Sequence, residues 1–328
     1  MKQQYFTLTQ HPEGVPGKDS FALKSAQLAE LADGEVRVRN SYLSVDPYMR
    51  GRMNGVKTYI EPFELGRPMD GAAVGEVIAS KAEALPEGSK VLHNQGWRDL
   101  AQGPAADFKA LPDALPERYF LGVLGMPGMT AWTGLNKIAG LKQGDKVLVT
   151  AASGAVGSLA CQLAVAKGCH VVGTAGSDDK VQWLESLGVA GINYKTEGDL
   201  YQALRHKTPD GIDVIFENVG GPLLAAGMNA ANPFCRIALC GMIHHYNDGK
   251  APTPDNFSQV IAKRLRVEGF LVFDHWQHYD TFLAEVMPWV QDGRIAVKET
   301  IEQGLQSMPD AFAALFSGGN TGKMLVQL

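Results

Sequence analysis

Cysteine is scarce in this chain, with four in 328 residues and none before Cys161. No two of Cys161, Cys169, Cys235 and Cys240 form a C-x-x-C pair, so a structural zinc knuckle of that kind is excluded. All four read as small buried hydrophobes within helices or strands, in a reducing compartment. Long apolar runs are also missing: none approaches the roughly 18 residues that a membrane span needs. Residues 1–6 lack the apolar core of a signal peptide. A cytoplasmic protein with no membrane partner is therefore expected. Nor is there an excess of positive charge. Thirty Lys and Arg against 35 Asp and Glu leave a net charge of -5, which argues against a nucleic-acid partner. What is present is 45% hydrophobic and 20% charged, the composition of a globular protein with a full core. The length suits two domains of roughly 100–200 residues each.

The first third reads as β-rich. Val36-Arg37-Val38-Arg39 alternates as a half-buried strand should, 72–78 and 90–92 are further apolar stretches, and glycine and proline punctuate the gaps. A helix is expected within 121–138. From Lys146 onward strands (146–150, 170–174, 191–194, 212–217, 235–240, 267–273) alternate with helices (155–167, 178–187, 199–206, 222–230, 255–263). This rhythm with continuous apolar strands predicts a parallel sheet buried on both faces. The tail, with a helix over 308–316 and a strand over 323–328, is expected to return to the first domain. The expected division is 1–121 with 298–328, and 122–297.

The first strand of the alternating region leads into Ala151-Ala152-Ser153-Gly154-Ala155-Val156-Gly157 and then a helix. This is A-x-G-x-x-G, a dinucleotide fingerprint with Ala152 in place of the first glycine. Gly154 lets the backbone approach a pyrophosphate, Gly157 lets helix and strand pack closely, and the helix N-terminus favours the anion. An NAD enzyme usually carries Asp or Glu at the end of the second strand. Here that strand runs into Thr174-Ala175-Gly176-Ser177. Asp178 and Asp179 follow as expected caps of the next helix, and Lys180 stands one turn in. A lysine without the carboxylate points to the extra phosphate of NADPH.

Several stretches together resemble one family. They are Asp46-Pro47-Tyr48-Met49-Arg50-Gly51-Arg52-Met53, the segment 124–131, the glycine loop, Glu217-Asn218-Val219-Gly220-Gly221, 240–247 and Gly319-Asn320-Thr321-Gly322-Lys323. Their order and spacing over nearly the whole chain resemble the zinc-independent medium-chain dehydrogenases/reductases of the alkenal/one oxidoreductase group. That group includes prostaglandin reductases, bacterial curcumin reductase and plant double-bond reductases. The D-P-Y-M-R-G-R-M run most resembles the bacterial curcumin-reductase-like branch. The resemblance implies an α/β fold: a Rossmann doubly wound parallel sheet plus an N-terminal, partly closed, GroES-like β-barrel catalytic domain. It implies NADPH-dependent reduction of the carbon–carbon double bond of small α,β-unsaturated aldehydes and ketones. Carried over residue by residue, it puts Gly154, Ala155, Val156 and Gly157 on the pyrophosphate and Lys180 on the ribose phosphate. Thr130, Tyr194, Asn218, Cys240, Tyr246, Phe270, Leu271, Val272 and Asn320 line the rest of the cofactor. Some relatives carry a tyrosine near the end of 269–273 for which a substrate role has been proposed. Phe273 stands there and has no hydrogen to donate.

Reduction of an enone places negative charge on the carbonyl oxygen, so a hydrogen-bond donor is required there. Tyr48 is the first candidate and Tyr246 the second, with Tyr59 at the mouth of the pocket. Arg50 and Arg52 are expected to pair with carboxylates such as Asp46. His244 and His245, read as strand neighbours, point opposite ways and lack companions at metal-ligand spacing. The expected first domain contains no cysteine, where zinc-dependent relatives have one. The strand 267–273, apolar and at a sheet edge, is expected to pair two copies into a homodimer. Two rival readings remain open, a quinone reductase on the same scaffold and a non-catalytic NADPH-binding protein.

Overall fold

The computed structural model describes residues 1–249 and 253–328. The chain divides into two compact units, Met1–Gly122 with Glu299–Leu328, and Val123–Lys298. In the first unit, β1 (Lys2–Leu8) pairs antiparallel with β2 (Phe21–Gln27), and β3 (Glu35–Ser44) forms the hub. A four-residue helix, α1 (Met49–Arg52), follows. Then come β4 (Ala73–Ser80), β5 (Lys90–His93), β6 (Leu100–Pro104) and β7 (Lys109–Ala110). β3 pairs antiparallel with β4 and β6, and β5 with β4 and β7. The alternation seen in the sequence is real: Val36 and Val38 are fully buried. Trp97, also fully buried, stacks on Phe21 with ring centroids 5.4 Å apart and donates its indole N–H to Met49 Sδ at 3.4 Å. Burying Met49 and Met53 in this cluster stabilises α1 by about 1.5–3 kcal/mol each. That anchors the turn on which Tyr48 sits.

The second unit opens with α2 (Met126–Thr133), which runs on into a π-helical turn over Gly134–Ile138. It continues β8 (Lys146–Val149), α3 (Ala155–Ala166), β9 (His170–Ala175), α4 (Asp178–Ser186), β10 (Ala190–Asn193), α5 (Leu200–Lys207) and β11 (Ile212–Glu217). α6 (Gly221–Ala230), β12 (Ala231–Leu239), α7 (Gln259–Ala262), β13 (Arg266–Gly269) and α8 (Tyr279–Gln291) complete it. All its strand pairs are parallel, in the order β10-β9-β8-β11-β12-β13. Numbered within the unit, this is 3-2-1-4-5-6, the Rossmann order. The chain returns to the first unit through β14 (Glu299–Gln303), α9 (Met308–Ser317) and β15 (Lys323–Gln327), with β15 antiparallel to β3.

Locally the chain departs from the sequence pattern in four places. The strand expected over 267–273 stops at Gly269, and Val272–His278 is a 3-10 turn. Phe273, the last residue of the expected strand, lies against Trp276 with ring centroids 5.8 Å apart, an i,i+3 contact that an extended chain cannot make. The helix expected over 255–263 shrinks to Gln259–Ala262 because Asn256 is drawn onto Ala225 O and Asn229 Oδ1. Cys169 and Cys240 lie in loops and are only partly buried, unlike Cys161 and Cys235. Ser177, with no side-chain cap, precedes α4, and Asp178 accepts from Asn193 Nδ2 at 2.6 Å instead of capping.

Candidate active site

The loop between β8 and α3 is shaped by close backbone contact. A Cβ on Gly157 would lie 2.3 Å from Ala151 O, so only glycine fits. Ala151 takes a left-handed φ of 47°, which costs an alanine roughly 1–2 kcal/mol. Ala152, the substitute for the first glycine, is fully buried, and its Cβ fills the space beside Gly173. Gly154, the N-cap of α3, provides no side chain to occupy the first-turn N–H groups. Those donors and the helix dipole form a cradle that fits a pyrophosphate.

At the end of β9, the side chains nearest Gly176 are those of Tyr194 and Lys195. A Cβ there would meet Tyr194 Oη at 3.1 Å and Lys195 Cε at 3.2 Å. Burial, and then the neighbouring Lys195 ammonium, hold the Lys180 ammonium below the ordinary lysine value. Lys180, Tyr194 and Lys195 thus converge where an NAD enzyme would keep an acid. Lys195 was not singled out in the sequence. The signal was available: it directly follows Tyr194 at the end of the third strand.

β8 and β11 flank the point where the strand order reverses, the expected ligand crevice of such sheets. Here Thr150 and Glu217 tie the two strand ends together. Thr150 Oγ1 donates to Glu217 Oε1 at 2.8 Å and accepts from Asn218 N at 2.8 Å, and Asn218 Nδ2 donates to Thr150 O at 2.7 Å. Val219 N and Gly220 N also donate to Glu217 Oε1, at 2.6 and 2.7 Å. Glu217 is fully buried and its Oε2 has no hydrogen-bond partner. Burial pushes its carboxyl up to about 7, against those donors. Although Cys240 as a residue is partly exposed, its sulfur points inward, and burial of that sulfur, then the nearby Glu217, push the thiol up to about 12, which makes it inert rather than nucleophilic.

With a folded value above the unfolded one, Glu217 favours the folded state at low pH, and this contribution is lost as pH rises from about 4.5 to about 7. The loss is on the order of 3 kcal/mol. Glu217→Gln should flatten the stability–pH curve across that window, as measured by urea unfolding. An unchanged slope would contradict the assignment.

Thr130 lies in α2, nearly buried, and its hydroxyl donates to Met126 O at 2.7 Å. Tyr246 folds back on its own loop, where its phenol oxygen accepts from Met242 N at 3.4 Å. His244 and His245 sit in a 3-10 turn, not a strand, with ring centroids 4.8 Å apart, and pack over Gly221 and Gly220. Phe270 meets Phe216 edge-on at 6.5 Å, Val272 is buried, and Leu271 lies half-buried between them in sequence. Phe273 is 59% exposed.

In the first unit, Tyr48 begins α1 and is half-buried. Burial first, and then the Asp46 carboxylate, push its phenol well above the ordinary tyrosine value, against the pull of Arg52. The phenol therefore stays neutral and keeps its proton to donate. Tyr59, 57% exposed, is close enough to add to this shift. Asp46 does not pair with the arginines of its own run. Arg52 forms a bidentate pair with Asp70, Arg50 binds Gly14 O, Pro12 O and Asn54, and Asp46 binds Lys323. Asn320, just before β15, donates to Gly322 O at 2.8 Å. Among the described residues, no group of three His, Cys, Asp or Glu side chains is arranged to hold a metal ion.

A parallel sheet in Rossmann order, a glycine cradle and a basic second-strand end define a dinucleotide-dependent oxidoreductase. Residues 4–111 match the family described as the N-terminal domain of oxidoreductase, and residues 155–289 that described as zinc-binding dehydrogenase. Prostaglandin reductase 1 of Rattus norvegicus is 42% identical, over 98% of both chains. The 2-alkenal reductase (NADP(+)-dependent) of Nicotiana tabacum is 40% identical, over 98% of this chain and 96% of its own. The crystal structure of CurA from Vibrio vulnificus in complex with NADPH matches with a TM-score of 0.92 and 40% identity, over 99% of this chain and 98% of that one. The chain belongs to the medium-chain dehydrogenase/reductase family, in its alkenal/one oxidoreductase group.

Proposed function

We propose that this protein reduces the carbon–carbon double bond of α,β-unsaturated aldehydes and ketones with NADPH. The observation that carries the reading is full-length identity of about 40% to reductases of that group, joined to a neutral, half-buried phenol at Tyr48. NADPH supplies the hydride when bound. Gly154, Ala155, Val156 and Gly157 receive its pyrophosphate, and Lys180, Tyr194 and Lys195 its ribose phosphate. Thr130, Asn218, Cys240, Tyr246, Phe270, Leu271, Val272 and Asn320 line the remainder. Tyr48 donates to the carbonyl oxygen as charge builds on it, and Tyr246 is the alternative donor. Following NADPH oxidation with an alkenal, a curcuminoid and a quinone tests the reading. Turnover confined to the quinone would favour the rival reductase, and no turnover at all a non-catalytic binder.

The reaction is assigned without zinc, a reading supported by the absence of cysteine from both segments of the first unit. Prolonged chelation should leave turnover intact. Stoichiometric zinc whose removal abolishes turnover would overturn this.

A homodimer joined through β13 is supported by its edge position. It is also supported by Phe257 and Ile261, which are 49% and 82% exposed just before that strand, and by Phe234, 67% exposed on the neighbouring β12. Light scattering should give twice the chain mass, and a monomer at micromolar concentration would contradict the pairing. A cytoplasmic location suits the four free thiols, and no helix among the described residues is long and apolar enough to cross a membrane.

A further inference from the structure

Lys323 and Asp46 form an ion pair with side-chain exposures of only 4% and 6%. Lys323 Nζ donates to Asp46 Oδ1 at 3.0 Å and to Val45 O at 2.7 Å, and Ser44 Oγ donates to Asp46 Oδ2. The stem of Lys323 runs past Gly122, where a Cβ would come within 3.4 Å. Each partner sits beside a functional segment. Asp46 is two residues before Tyr48, and its carbonyl accepts from Met49 N at 3.2 Å to open the turn into α1. Lys323 begins β15, three residues after Asn320. A buried ion pair is a poor source of stability, because desolvation offsets the attraction and an apolar pair of similar volume often does as well. Its directional bonds do what an apolar pair does not: they hold the carbonyl of Val45 and the carboxylate of Asp46 at set distances from the start of β15.

We propose that the Lys323–Asp46 pair is a positioning device, which locks the segment carrying Tyr48 to the segment carrying Asn320 so that both present their groups in register. The proposal rests on the enone-reductase reading for its catalytic consequence and on geometry alone for the coupling. Both side chains are almost fully buried, so the role assigned to them is positioning.

The test uses Asp46→Asn, Lys323→Met and the apolar double variant Asp46→Leu/Lys323→Met, on the full-length protein. Three quantities are measured for each: the thermal midpoint, kcat with KM for an enone, and amide hydrogen exchange. Both single variants should unfold at lower temperature. Lys323→Met should speed exchange in 46–53, and Asp46→Asn should speed it in 319–323. The double variant should recover most of the midpoint while kcat stays down by about 10- to 100-fold, the scale expected for a misplaced reacting group. KM should change far less. Should a single variant fail to fold, the double variant carries the comparison. Recovery of kcat together with the midpoint would make the pair merely structural and overturn the proposal, as would unchanged exchange in the opposite segment. A parent protein inert towards every enone would instead sink the functional reading, and the exchange data would still decide the coupling.

Discussion

Lys180→Ala raises the Kd for NADPH by about 10- to 100-fold and leaves that for NADH almost unchanged, because each charge-assisted hydrogen bond lost is worth about 1.5–3 kcal/mol. Adding Lys195→Ala deepens the loss to about 100-fold or more, short of full additivity since the two ammonium groups share one phosphate. The physical basis is the surroundings of Gly176. A phenol and a lysine crowd it, and Lys180 and Lys195 are near enough that one disfavours the charge of the other. A phosphate between them relieves that repulsion, and NADH offers none. Fluorescence titration with both cofactors reads the difference. Equal losses for NADPH and NADH would show that these lysines support the loop and do not read the phosphate.

Tyr48→Phe lowers turnover by about tenfold, and towards the 10²–10³ typical of a lost preorganised donor if no other group shares the load. It keeps the ring, and hence the packing against the core cluster that contains Met49 and Met53, and deletes only the proton that burial and Asp46 hold on the phenol. NADPH affinity should barely move. The loss should shrink for substrates already strongly polarised. Tyr246 is the comparison: its phenol oxygen is turned towards Met242 N and Gly241. A crippled Tyr246→Phe beside an unaffected Tyr48→Phe would transfer the role. Full turnover in both single variants and in the double variant would remove phenols from the chemistry.

The Rossmann order and the phosphate cradle were legible because each rests on local pattern. Val147, Leu148 and Val149 form a continuous buried strand, and Gly154 and Gly157 punctuate the turn that follows it. The hairpin of β1 and β2 was not legible. Its outer strand shows mostly exposed residues, Phe21 apart, so no period-two signal stands out. The 3-10 turn that replaces the end of the expected strand 267–273 brings Phe273 against Trp276, and apolar content alone does not reveal it. The strap between Thr150, Glu217 and Asn218 was half-visible: Asn218 was singled out, whereas Glu217 looked like the last residue of a strand. Its importance lies in burial with one unpartnered oxygen, a property of three dimensions. The same is true of Lys323 and Asp46, which lie 277 residues apart in sequence.

The most direct measurement follows the transferred hydrogen. The protein is incubated with an alkenal and NADPH deuterated at both C4 positions of the nicotinamide, and the product is examined by mass spectrometry and NMR. The account predicts a saturated aldehyde with its carbonyl intact and deuterium on the β-carbon. Deuterium on the former carbonyl carbon, in an allylic alcohol whose double bond survives, would contradict it.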